Sequence, residues 1–190
     1  MLFRSVADFP LVLAVTSADE KDKPANPGQA LAKMGPHTPA ATGQHFLTIG
    51  VKFTSFKVVD SFALLIGREH ERLEFDLLGL SSISQPYGAA KPLTKARIAW
   101  LAHFSPEQGI LTLRAEILPG AYVFDPACNL TGGFAASFWF AEQRDKEIPA
   151  GDFALTLGGY HPAYKVPKHY PRVTPLKLEW QVNKHLRIKG

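Results

Sequence analysis

One cysteine, Cys128, is all the thiol chemistry this chain contains. A lone cysteine closes no intramolecular disulfide and cannot by itself build a zinc site. No apolar run is long enough to cross a bilayer as a helix. The N-terminus also lacks the basic, apolar and small-residue order of a signal peptide. Neither absence assigns a compartment. Charge of one sign is gathered nowhere: 21 Lys and Arg stand against 17 Asp and Glu, a formal net charge of +4, scattered without a polybasic tract. Phosphate backbones need basic residues collected on one face, so nucleic acid is not expected as a partner. A solvated surface accounts for the positive balance. Helical periodicity is missing throughout.

Familiar catalytic signatures are missing as well. There is no phosphate loop and no dinucleotide fingerprint, and no cofactor is expected. His70-Glu71 opens a zinc-protease motif in "HERLE", but the fifth position holds Glu74 where a second His is needed, and the context reads as strand. "GLSSI" begins a nucleophile elbow with Gly79 and Ser81 and fails at Ile83. Asn129-Leu130-Thr131 matches a glycosylation sequon, a match common by chance.

What is present is period two. The apolar and charged fractions, 46% and 20%, are those of an ordinary globular chain. In "FLTIGVKF", Leu47, Ile49, Val51 and Phe53 share one face. Ala96, Ile98, Trp100, Ala102 and Phe104 do the same in "LTKARIAWLAHF", as do Leu111, Leu113, Ala115 and Ile117 in "GILTLRAEIL". Leu176, Leu178, Trp180 and Val182 complete the series. Such alternation marks half-buried antiparallel strands. "FKVVDSFALLIG", "GGFAASFWF" and "DFALTLGGY" are apolar on both faces. Turn signals at 105–109, 119–120, 148–152 and 183–184 stand at hairpin spacing. The expected fold is all-β: an antiparallel meander, partial sandwich or extended sheet.

The same pass divides the chain. Residues 6–16 read as an isolated strand. Residues 17–44, rich in Pro, Gly, Ala and Lys, read as a flexible loop or linker, and residues 45–190 as the β-rich domain. Leu2-Phe3-Arg4-Ser5 resembles the translation of a sequencing-adapter end, CTCTTCCGATCT, so residues 1–5 read as an artefact. The last hairpin stops inside its returning strand at Gly190, leaving backbone donors and acceptors unpaired. The chain is therefore expected to be a fragment of a longer one; a short protein with a coincidental start is the alternative.

The stretch with most chemistry is "GGYHPAYKVPKHYPRV", residues 158–173. Tyr160, His161 and His169, with Asp152 as the nearest acid, are the only candidates for catalysis. Their pattern argues against it, because no nucleophile or third orienting group is visible. His161 and His169 lack the spacing of ligands on one strand or helical turn, and a zinc site usually needs three or four protein ligands; no metal site is expected. A structural reading explains more residues. Gly158-Gly159 permits a bend, and Pro162, Pro167 and Pro171 stiffen the connection. Tyr160, Tyr164 and Tyr170 can then lay rings over the sheet with hydroxyls at water.

"FTSFKVVDSFALLIG", "FDLLGLSSISQP", "CNLTGGFAASFWF", "GDFALTLGGYHPAYKVPKHYPRV" and "LKLEWQVNKHLRIKG" together resemble successive blocks of a family of large β-rich bacterial and fungal proteins, a domain family of unknown function. The resemblance spans about Phe53 to Gly190, with departures at Ala135-Ala136-Ser137 and Lys168. It implies a β-rich fold and a longer parent chain, and it brings no activity, cofactor or catalytic residue. Three readings stand at this point. The first is a segment of a large β-scaffold with a structural or binding role, its partner a lipid, another apolar ligand, or the remainder of its own chain. The second is a hydrolase-type enzyme whose site is completed by residues elsewhere. The third is a membrane β-barrel segment, against which stand strands apolar on both faces.

Overall fold

The computed structural model describes Val12, residues 45–69 and residues 72–190. The expectations placed on residues 1–5, 6–16 and 17–44 fall outside these, Val12 apart. From His45 onward the alternating segments become strands of one antiparallel sheet. Four long strands lead: β1 (His45–Ser55), β2 (Val59–Glu69), β3 (Leu73–Gln85) and β4 (Thr94–Ser105), each paired to the next. Then come β5 (Ile110–Ile117), the short β6 (Tyr122–Val123), β7 (Cys128–Thr131), β8 (Gly133–Trp139), β9 (Phe153–Leu157), β10 (Lys177–Gln181) and β11 (Arg187–Lys189).

Two strand lines are interrupted where the sequence carries glycine. β5 pairs with β4 over Ile98–Ser105, and β6 takes over at Thr94–Lys95, after the turn at Pro119-Gly120. β7 and β8 are separated by Gly132 alone; β8 pairs β5 and β9, while β7 pairs β6 and β10. β9 and β10 lie on the same flank of that line. Leu157 is opposite Phe134 and Lys177 is opposite Thr131, so the segment between them is an excursion from a single strand position. Gly158, at φ +68°, lets the chain leave the sheet; a Cβ there would approach the Leu176 amide nitrogen to 2.7 Å. The described strands form an open sheet rather than a closed barrel: it ends at β1 on one side and at β9 and β11 on the other.

The core lies on one face of the sheet. Phe62 and Leu64 on β2 meet Leu78 and Leu80 on β3, and Ala99, Leu118 and the buried Val12 complete the cluster. A second cluster, Trp139, Ile148 and Ala154, forms on the same face farther along and is joined by Ile110 and Tyr170. Burial of these apolar groups, at ~25 cal/mol per Å² removed from water, is the main stabilising contribution.

The turn between β1 and β2 departs from local preference. Phe56 and Lys57 both hold left-handed backbone angles, φ 54° and 55°, which cost L-residues other than Asn and Asp about 1–2 kcal/mol each. Phe56 is 94% exposed and so loses little packing if replaced. The pair Phe56→Asn and Lys57→Gly should therefore raise stability by about 1–2 kcal/mol. The check is a higher urea midpoint at unchanged m-value.

Candidate functional site

The segment 158–173 folds back over the second core cluster. Trp139 is its platform: the Tyr170 ring stacks on the indole at 6.2 Å between centroids, and the His169 ring meets it edge-on at 5.0 Å. Tyr160 lies 6.2 Å from Tyr170 and 5.9 Å from Tyr164. Asp152, in the turn before β9, ties the cluster down. One carboxylate oxygen accepts from His169 Nε2 at 2.8 Å. The other accepts from the Tyr170 hydroxyl at 3.2 Å and the Phe153 backbone N–H at 2.9 Å.

The structure thus brings together Asp152, His169, Tyr170 and Tyr160, and leaves His161 apart. His161 is exposed and uses Nδ1 to accept the backbone N–H of Ala163. Asp152 precedes β9 and the histidines follow it, and the arm carries His169 back to Asp152. Nor do the tyrosine hydroxyls all lie at water. Tyr170 donates to Asp152, and the Tyr160 hydroxyl is buried with no partner among the described residues.

Electrostatics follow from this geometry. The His169 hydrogen bond holds the Asp152 carboxyl below the ordinary aspartate range, against the opposing effect of burial, with Tyr170 and the Phe153 N–H adding to it. Burial raises Tyr170 first, and the neighbouring carboxylate raises it further. Burial, then Tyr164, raises Tyr160. Because Asp152 titrates lower in the folded than in the unfolded chain, its contribution is complete above the ordinary carboxylate value of ~3.9. It is lost as pH falls through the folded value. At neutral pH, Asp152→Asn should cost about 1–2 kcal/mol, the scale of a charged hydrogen bond at a partly exposed site. Urea unfolding of both proteins from pH 7 to pH 2.5 should show that difference shrinking below about pH 4.

A second carboxylate–imidazole pair lies on the same face. Asp76 on β3 and His103 on β4 are opposite each other in register, with Oδ1 and Nδ1 at 2.8 Å. Arg68 donates to the other oxygen of Asp76 and reaches Glu74 at 3.2 Å. Sequence reasoning missed this pair, because it depends on cross-strand register; the available signal was that each residue alternates onto its strand's more polar side. Among the described residues, no hydroxyl or thiol is hydrogen-bonded to His103 or His169. A carboxylate that orients an imidazole is two parts of a hydrolytic site, and the nucleophile is the third.

The opposite face is the larger feature. Residues in register share a face, and three consecutive rows cross seven strands there. The outermost runs Leu47, Gly67, Phe75, Phe104, Leu111, Phe138, Phe153. The next runs Ile49, Leu65, Leu77, Ala102, Leu113, Ala136, Leu155. The third runs Val51, Ala63, Gly79, Trp100, Ala115, Phe134, Leu157. None is charged. The one hydrogen-bonding side chain, the Trp100 indole, donates to Ser81 at 3.2 Å. Six strand spacings of ~4.8 Å make the face about 29 Å wide. It is most open at its flanks, where Leu47 and Leu157 are each 67% exposed and Phe153 61%; the central residues are mostly half-buried, and Gly79 and Ala136 are buried. The regular apolar stripe that alternation predicts to face a core is the uncovered one, and the core forms on the mixed face. With the three rows spanning ~14 Å along the strands, the face outlines roughly 400 Å², the size of the largest apolar patch on an ordinary monomer, which is often functional.

No solved structure matches this chain. The model of a family described as of unknown function, DUF6603, matches residues 3–190, and the chain belongs to that family.

Proposed function

We propose that this protein is a non-enzymatic β-scaffold module whose open sheet face docks an extended apolar partner. The observation that carries this reading is the set of three uncharged rows crossing seven strands, open at their flanks while the opposite face holds the core. Water in contact with so much hydrocarbon is unfavourable, at ~25 cal/mol per Å². A partner that removes even part of it gains affinity. The Asp76–His103 and Asp152–His169 pairs are the observations on the side of a hydrolase, neither of them meeting a nucleophile among the described residues; the second is built into the packing of the arm. With both carboxylate oxygens occupied and the imidazole against Trp139 and Tyr170, it serves as a clasp for the arm.

The test compares the wild-type chain with a Leu65→Asp/Leu155→Asp double variant, both positions being exposed. Titration with anilinonaphthalene sulfonate and light scattering against concentration are the two readouts. Saturable dye binding or self-association in the wild type, lost in the variant at unchanged far-UV circular dichroism, supports a docking face. A wild-type chain that binds no dye and stays monomeric overturns it.

A further inference from the structure

One margin of the sheet is bare in backbone as well as in side chain. β1 pairs β2 residue for residue from His45 to Ser55, without a bulge, and among the described residues nothing pairs its other side. That margin is 11 residues long. A row of unpaired N–H and C=O groups of this kind is a template for another strand. The devices that ordinarily blunt such an edge are missing from it: β1 has no proline and no acid, and Lys52 is its one lysine or arginine. The other margins have them. β9 is 5 residues long, and β11 is 3, two of them the cations Arg187 and Lys189.

We infer that β1 pairs antiparallel with β1 of a second copy of this chain, about a two-fold axis at Gly50, so that two sheets run on as one. Complementarity along the strand selects this occupant. Gly50 is the midpoint of β1, so this register alone pairs the strand over its whole length, His45 meeting Ser55 of the second copy. The same register sets Leu47 opposite Phe53 and Ile49 opposite Val51, each pair occurring twice. All four exposed apolar side chains of β1 gain an apolar partner in this way, at Cβ separations of ~5 Å. On the other face Lys52 falls opposite Thr48, and glycine meets glycine at the axis. A slide of two residues sets Phe53 against His45 or Leu47 against Ser55, and a slide of four can set Lys52 against Lys52. An antiparallel contact of this length supplies about ten backbone hydrogen bonds, and a two-fold contact closes on itself. Head-to-tail pairing fits less well. β9 covers 5 of the 11 residues, and β11 brings Arg187 and Lys189 to a strand with no acid. Backbone makes this contact, so it stands or falls apart from docking on the open face.

The experiment is sedimentation velocity against concentration on the wild-type chain, on Ile49→Lys/Val51→Lys and on Ile49→Glu/Val51→Glu. Ile49 and Val51 are 51% and 53% exposed, and far-UV circular dichroism verifies that both variants fold. A wild-type dimer is expected, its dissociation constant raised about tenfold or more in either variant, because like charges then meet twice across the axis. The two variants mixed in equal amounts should associate again, since each introduced lysine then faces an introduced glutamate. Leu65→Asp/Leu155→Asp, which leaves β1 untouched, should dimerise as the wild type does. A wild-type chain that is monomeric at about 100 μM, well above a micromolar dissociation constant, overturns edge pairing. Dimerisation indifferent to both charged variants overturns it too, as does a mixture no tighter than its components. A dimer lost in Leu65→Asp/Leu155→Asp and kept in the charged β1 variants is a contact between open faces; it overturns edge pairing and leaves the docking face standing.

Discussion

Gly79→Ala should destabilise the chain by about 3 kcal/mol or more, the range seen when a large aromatic loses its seat. Gly79 is opposite Trp100 in the β3–β4 register, and the indole lies flat over its Cα. An alanine Cβ would fall inside the ring, so Trp100 must swing away and give up its hydrogen bond to Ser81. Ser81 is itself hydrogen-bonded to Ser61 at 2.9 Å on β2, so the displacement reaches a third strand. Backbone angle plays no part here, since Gly79 is not among the residues with positive φ. The distinguishing test is a double-mutant cycle. In a Trp100→Ala background the added methyl has room, and Gly79→Ala should cost close to nothing. The two changes are then strongly non-additive. Urea midpoints of the four proteins give the coupling. Equal cost of Gly79→Ala in both backgrounds would show that the indole is not what excludes a side chain there.

Trp139→Ala should be of similar size, about 3–5 kcal/mol, with a second consequence of its own. Trp139 is 5% exposed and carries the stacked Tyr170 and the edge-on His169. Its removal leaves a cavity bounded by Ile148, Ala154 and Ile110, and the segment 158–173 loses its platform. Limited proteolysis should then cut between Gly159 and Arg172 under conditions where the wild-type chain resists, while strands β1–β4 keep their hydrogen-exchange protection. Asp152→Asn separates the two effects, because it weakens the clasp and leaves the indole in place. Matching proteolysis in both variants would locate arm stability in the hydrogen bonds rather than the stack.

Much of this architecture is readable from the residues. Leu47, Ile49, Val51 and Phe53 do share a face, and the turns at 105–109, 148–152 and 183–184 do join neighbouring strands. Period two reports which side chains go together. It does not report what covers them: the regular stripe on β1 is the bare one, and that on β4 is half-buried. Long-range register was also out of reach: Asp76 and His103 meet because eight intervening residues, 86–93, set the β3–β4 pairing, and no local pattern encodes that offset. Asp152 looked isolated for a related reason. Its partners arrive 17 and 18 residues later, through a proline-rich path whose stiffness was legible and whose destination was not.

The excursion between Leu157 and Lys177 has one more consequence. Its two ends lie end to end along one flank of the β7–β8 line, so the chain departs and returns without altering the pairing on either side. A loop anchored in this way is topologically neutral. Lengthening it costs only ~0.6 kcal/mol per doubling in closure entropy, and the rows of the sheet stay in step whatever it contains. Within a lineage of such chains, added sequence is accepted at least expense in the exposed stretch 161–165, outside the residues that Asp152 and Trp139 hold. Insertions among relatives should therefore fall there rather than at His169–Tyr170 or in the flanking strands.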